Sequence, residues 1–144
     1  MNKNLRIATT ARVDDFVHKV IRELGRVVII DGGEWLENSD VVVIDCGYPS
    51  ASVNENDWRR ILDMGKTLGL VGLQNYGRDL LQQITGRSIS KSIRHLFIRK
   101  AGSGAEQYTF TIVPEVDYKM DPVKCAAFLE KQVFITETSS QPPV

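Results

Sequence analysis

Net charge is the first thing this chain lacks, because 18 lysines and arginines are cancelled by 18 aspartates and glutamates. No global field therefore draws it to nucleic acid or to an anionic membrane. Histidine and cysteine are scarce, with only His18, His95, Cys46 and Cys125. The two cysteines stand far apart and form no CxxC motif, so the chain has neither a disulfide framework nor the ligand spacing of a zinc site. Long apolar runs are missing too. The longest, around VVVI, falls far short of the roughly 20 residues that span a bilayer. The opening MNKNLRIATT lacks the apolar core of a secretory signal. Together these absences predict a reduced, cytoplasmic setting with no membrane partner and no metal. No internal repeat is visible. What is present is an ordinary globular composition, 42% hydrophobic and 25% charged. Its 144 residues suffice for one buried core and are too few for two.

Segments of two kinds alternate along the chain. LRIATT reads as a buried strand, and RVDDFVHKVIREL follows with Val13, Phe16, Val17, Val20, Ile21 and Leu24 at helical spacing. Asp14 and Asp15 lie in the first turn, where the helix dipole favours them, and Gly25 closes the helix. RVVIID is a second strand and GGEWLENS a turn or short helix. DVVVIDCG is apolar without alternation, the pattern of a strand covered on both faces in a parallel sheet. NENDWRRILDMG is a helix, TLGLVGL a fourth strand, YGRDLLQQITG a helix ending at Gly86, and IRHLFIRK a fifth strand. After the flexible turn AGSGA, EQYTFTIVPEV alternates as a half-exposed edge strand should, with Pro114 suited to an edge. DPVKCAAFLEKQ is a helix with Asp121 as N-cap and Pro122 at its first position. VFIT reads as a further strand, and ETSSQPPV as a disordered tail.

This rhythm predicts an α/β, Rossmann-like three-layer domain over residues 1–136, with a tail over 137–144. The sheet is expected to be mostly parallel, of about five strands, with a C-terminal edge strand and helix added. In such sheets ligands settle beyond the carboxyl ends of the strands, at a topological switch point. The candidate ligand-binding residues are therefore Thr9 and Thr10, Asp45, Cys46 and Tyr48, and the turn Gly72, Gln74, Asn75, Tyr76 and Gly77.

That last turn carries the most specific motif. A dinucleotide fingerprint uses one glycine for a tight turn, one for close approach of the pyrophosphate and one for helix–strand packing. Gly72 and Gly77 match the first and third, while Gln74 stands where the second falls. The stretch KTLGLVGLQNYGRDLLQQITG, from Lys66 to Gly86, resembles the start of the cofactor domain in D-2-hydroxyacid dehydrogenases. The resemblance implies an NAD(P)-type nucleotide held at Gly72–Gly77. The acidic residue expected about twenty positions on is replaced by Arg94, Arg99 and Lys100, which suit a phosphorylated ribose. The substrate domain of such enzymes and their catalytic arginine, glutamate and histidine have no counterpart here.

DVVVIDCGYP more distantly resembles the phospho-acceptor strand of response-regulator receivers. That resemblance implies an acceptor at Asp45, with Lys100 ending strand five beside it; the acidic pair such a domain carries after strand one departs from the pattern, since Asp14 and Asp15 lie within the helix rather than at the strand tip. The plainer role for Asp45 is a cap for the following loop. Cys46 lacks the glycines of a nucleophile elbow, and neither histidine is placed as its general base, so a structural role is the expectation and no catalytic residue is assigned.

Charge is polarised along the chain although the total is zero. No acidic residue lies between Asp79 and Glu106, where Arg87, Lys91, Arg94, Arg99 and Lys100 all fall. The stretch from Asp31 to Asp63 is predominantly acidic. The basic stretch suits an anionic ligand or a partner of opposite charge, and the polarity would also let copies of the chain associate. The reading is a non-catalytic binding or regulatory module for a protein partner, a second copy or a small anionic ligand; the alternatives are an enzyme's nucleotide-binding domain and a receiver-like signalling domain. The sequence leaves any cofactor unassigned.

Overall fold

The continuously apolar segments form the centre of a six-stranded sheet. A computed structural model describes residues 5–10, 15–30, 35–47, 55–101, 107–112 and 121–131. In chain order the elements are β1 (Arg6–Thr9), α1 (Asp15–Leu24), β2 (Arg26–Ile29), β3 (Val41–Asp45) and α2 (Glu55–Asp63), then β4 (Thr67–Val71), α3 (Asn75–Thr85), β5 (His95–Ala101), β6 (Gln107–Ile112) and α4 (Pro122–Leu129). Residues 35–38 form a turn rather than a helix. The strand order is β2-β1-β3-β4-β5-β6. Every residue of β3 and β4 is buried, the polar Asp45 and Thr67 at their ends included, as expected of central strands covered on both faces.

Among the described residues, four helices cover both faces. α1 turns Val17, Val20, Ile21 and Leu24 inward, one stripe at helical period, and leaves Asp15 exposed in its first turn. α4 is capped as its sequence implies, with Asp121 accepting from the N–H groups of Val123 (2.8 Å) and Lys124 (3.2 Å). Both helices pack on Ile7, Val41, Val43, Val71 and Phe97. On the other face, Trp58, Ile61 and Leu62 of α2 and Leu81 of α3 close over Val42, Ile44, Leu68, Leu70, Leu96 and Ile98. Strand alternation thus divides one sheet between two cores.

The expected, mostly parallel sheet is present, with antiparallel pairing confined to one side. β1 pairs in parallel with β2 and β3, and β3 with β4, but β4–β5 and β5–β6 are antiparallel. The reason lies between α3 and β5. α3 carries the chain away from the carboxyl end of β4 and stops at Gly86, whose φ of 75° is left-handed. Residues 87–94 then return alongside the helix, held by Arg78 in its first turn. The Arg78 guanidinium donates to the carbonyls of Ser90 (3.4 Å), Lys91 (3.2 Å) and Ile93 (3.1 Å). β5 therefore enters the sheet from the end where α3 began. β6 alternates less cleanly than expected, since Ile112 remains 47% exposed. Asp14, Pro114, the expected strand VFIT and the tail lie outside the described residues.

Candidate functional site

β1 and β3 are neighbours whose crossover helices, α1 and α2, leave to opposite faces, so the switch point lies at their carboxyl ends. Several candidate residues do meet there. Thr10 donates its N–H to the Val43 carbonyl (3.2 Å), and its hydroxyl accepts from the Asp45 N–H (3.3 Å). The Thr9 hydroxyl is fully buried and, among the described residues, has no hydrogen-bond partner. Asp45 is 5% exposed, and its Oδ1 accepts from the Gly47 N–H at 2.9 Å, an Asx turn that caps its own loop. The Cys46 N–H continues the ladder to Val71 (2.8 Å), and the Tyr76 hydroxyl donates to the Cys46 carbonyl (3.1 Å). Tyr48 lies outside the described residues.

The glycine turn is built for packing. Gly72 has φ of 60°, the left-handed conformation that the tight turn needs, while a Cβ on Gly77 would meet Leu73 Cδ2 at 3.2 Å and Cys46 Sγ at 3.5 Å. Gly77 thus seats the first turn of α3 on β3 and β4. Gln74 precedes the helix without capping it, and its amide nitrogen turns back to the Gly72 carbonyl (3.3 Å). Asn75 accepts from Arg78 at 3.5 Å. Because α3 leads into an antiparallel strand, the turn does not open the βαβ unit in which a dinucleotide fingerprint operates.

The chemistry of this crevice is quiet. Burial pushes the Cys46 thiol up to about 11, the opposite of what a nucleophile needs. Burial likewise raises the Tyr76 hydroxyl to about 12. Among the described residues no group of three or more His, Cys, Asp or Glu side chains is placed to hold a metal, and no helix is long and apolar enough to cross a membrane.

Reversal of β5 moves two residues from their expected places. Lys100 lies at the far end of the sheet from Asp45, paired with Asp63 at 3.0 Å, so the lysine of the receiver comparison is not beside the acceptor. His95 takes the near end instead, opposite Val71, and its Nδ1 accepts from the Gly72 N–H at 3.1 Å. Sequence reasoning missed His95 in this crevice; the length of the 87–94 connection is the one hint of the reversal.

The five basic residues do not form one surface. Arg99 lies on the Phe97 face, Lys100 is committed to Asp63, and Arg87, Lys91 and Arg94 are exposed around the segment that leads into β5. Arg87 sits over the Phe110 ring, 5.6 Å from its centre. Beneath it runs a groove of about 130 Å³ between Ile89 and Ile93 on one side and Leu96, Phe110 and Ile112 of the sheet on the other. No family model matches the chain, and neither a curated protein nor a solved structure matches it.

Proposed function

We propose that the chain is a non-catalytic binding or regulatory module, a Rossmann-like domain with its last two strands turned antiparallel, that engages a protein partner at the β5–β6 flank of its sheet. One observation carries the reading: an apolar groove opens at an exposed arginine, within a stretch of sequence free of acidic residues from 80 to 105. Exposed apolar surface rimmed by polar groups is a recurrent property of protein-binding faces. The switch-point crevice supports the same reading by contrast. Its carboxylate, thiol and tyrosine face one another or the backbone, and its thiol is held protonated by burial. Affinity enrichment tests the proposal, with the wild type compared against Arg87→Glu and Ile112→Asp, both exposed positions, and against Asp45→Asn. A discrete protein held by wild type and Asp45→Asn but released by both groove variants supports it. Equal retention by all four chains, or by none, overturns it.

A second reading rests on the left-handed Gly72 and on the first turn of α3, which has no side-chain cap. Such a turn suits a small anion or nucleotide phosphate. A thermal-shift panel of NAD, NADP, ATP and inorganic phosphate tests it. A ligand at about a hundred times its Kd adds about 2.7 kcal/mol, which raises the midpoint by about 5 °C or more. A flat panel removes this reading.

A further inference from the structure

Among the described residues β6 ends the sheet, and its own six residues carry no device against strand addition. Edge strands are usually blunted by charged side chains, proline or bulges. QYTFTI, the whole of β6, contains no charged residue and no proline, and its six residues pair with β5 without a bulge. Among the described residues no strand lies on its outer side. The opposite edge, β2, has only four residues and opens on the exposed Arg26. The groove runs beside this edge, because Phe110 and Ile112 belong to both. Its volume of about 130 Å³ is well below the roughly 300 Å³ at which small-molecule and cofactor sites begin. A space of that size suits one apolar side chain rather than a cofactor.

We infer that β6 accepts an extended acidic–apolar segment of a partner protein as a seventh strand, with an apolar side chain in the groove and a neighbouring carboxylate on Arg87. This rests on the protein-partner reading above and specifies the partner's chemistry. Backbone hydrogen bonds along β6 supply affinity without regard to sequence, and alternate side chains of the added strand supply selectivity. Apolar residues at every second position would face Phe110 and Ile112. A carboxylate at another of these same-face positions would meet the Arg87 guanidinium, which has no acidic partner among the described residues. A second copy of the chain is the poorer occupant. Two β6 strands joined about a two-fold axis bring both Arg87 side chains to one face, and β6 offers no acid to separate them.

A displayed library of random dodecapeptides, selected on the full-length chain, tests this directly. Selected peptides are synthesised and titrated by fluorescence anisotropy. The expected peptides carry Asp or Glu two residues from a Leu, Ile, Val or Phe, so that both side chains fall on one face of the added strand. N-methylation of the backbone amides along one edge of the peptide should weaken binding at least about tenfold, or 1.4 kcal/mol, while the same change on the other edge has little effect. Arg87→Glu should also weaken binding at least about tenfold, and Arg87→Lys less, since lysine lacks the planar fork. The inference is overturned if no peptide is selected, if binding is indifferent to N-methylation on both edges, or if Arg87→Glu binds as the wild type does. It is equally overturned if sedimentation shows a dimer that Ile112→Asp dissolves. A partner protein that is enriched as described above, in the absence of any such peptide, leaves the module reading standing and removes strand addition alone.

Discussion

Replacing Arg78 with methionine keeps an unbranched chain on α3 but removes the guanidinium that holds residues 90–93. Three backbone carbonyls lose a donor, at 3.4, 3.2 and 3.1 Å. A bond from a charged group contributes about 1.5–3 kcal/mol when short and sheltered. Only the Ile93 bond is partly buried, whereas the Ser90 and Lys91 bonds are exposed, and Ser90's is long. Weighting them accordingly gives a loss of about 2 kcal/mol. For a domain near 150 residues, about 1 kcal/mol moves the midpoint by roughly 2–4 °C, so Arg78→Met should melt about 4–8 °C lower. The loss should also be local. The Ile93 N–H, bonded to Ser90 at 3.1 Å, and the Leu73 N–H, bonded to Arg94 at 2.9 Å, should exchange faster than amides of β3. Arg78→Lys should recover only part of the stability, because a lysine cannot reach three carbonyls from one plane. Calorimetry combined with amide exchange decides the matter. A change below about 0.5 kcal/mol, or unaltered exchange at Ile93, would refute the view that Arg78 shapes the groove.

Further consequences concern the crevice. Native protein at pH 8 should resist alkylation at Cys46 and Cys125, both buried, and react at both once unfolded in urea. The folded Cys46 keeps its proton up to about 11 against an ordinary 9.0, so the native state holds more protons than the unfolded chain in that window. Stability should therefore fall as pH rises from 9 to 11, by about 2 kcal/mol from this thiol, and Cys46→Ala should remove that part of the fall while the part due to the buried Tyr76 hydroxyl remains. Gly77→Val should lose about 1–3 kcal/mol by overpacking against Leu73 and Cys46, whereas Gly77→Ala should be near neutral because helix propensity offsets one tight contact. Asp45→Asn should fold as the wild type does, since its amide oxygen can still accept from Gly47, while Asp45→Ala should lose about 1 kcal/mol. Incubation with acetyl phosphate and magnesium should add no mass to the native chain; a phosphoryl adduct at Asp45 would contradict its assignment as a loop cap.

The parts of the fold that are legible in the sequence are those where one local rule decides. The unbroken apolar run VVVI over residues 41–44 implies a strand covered on both faces, and β3 is buried throughout. Asp121 followed by Pro122 marks the start of α4, and the cap bonds are present. Strand direction is different, because it depends on where a connection returns, and the sequence of residues 87–94 does not advertise that Arg78 will hold it back along α3. Taking β5 as parallel puts Lys100 at the wrong end of the sheet and hides His95 from the crevice. The glycine motif is visible as spacing, but its conformational meaning comes only with contacts: Gly72 turns the chain and Gly77 packs against sulfur. The basic stretch is visible as composition. Strand alternation and one ion pair divide it, leaving Arg87 at the groove and turning Arg99 to the opposite face.

Partners, on this view, meet the β5–β6 flank and not the switch-point crevice. A photo-activatable amino acid placed at Ser88, on the groove's exposed rim, and separately at Gln74, on the crevice turn, puts both surfaces to one test in living cells. The expected result is a discrete covalent adduct from Ser88 that disappears with Ile112→Asp, and none from Gln74. An adduct from Gln74 with none from Ser88 would contradict it and return the crevice to the centre of the protein's function.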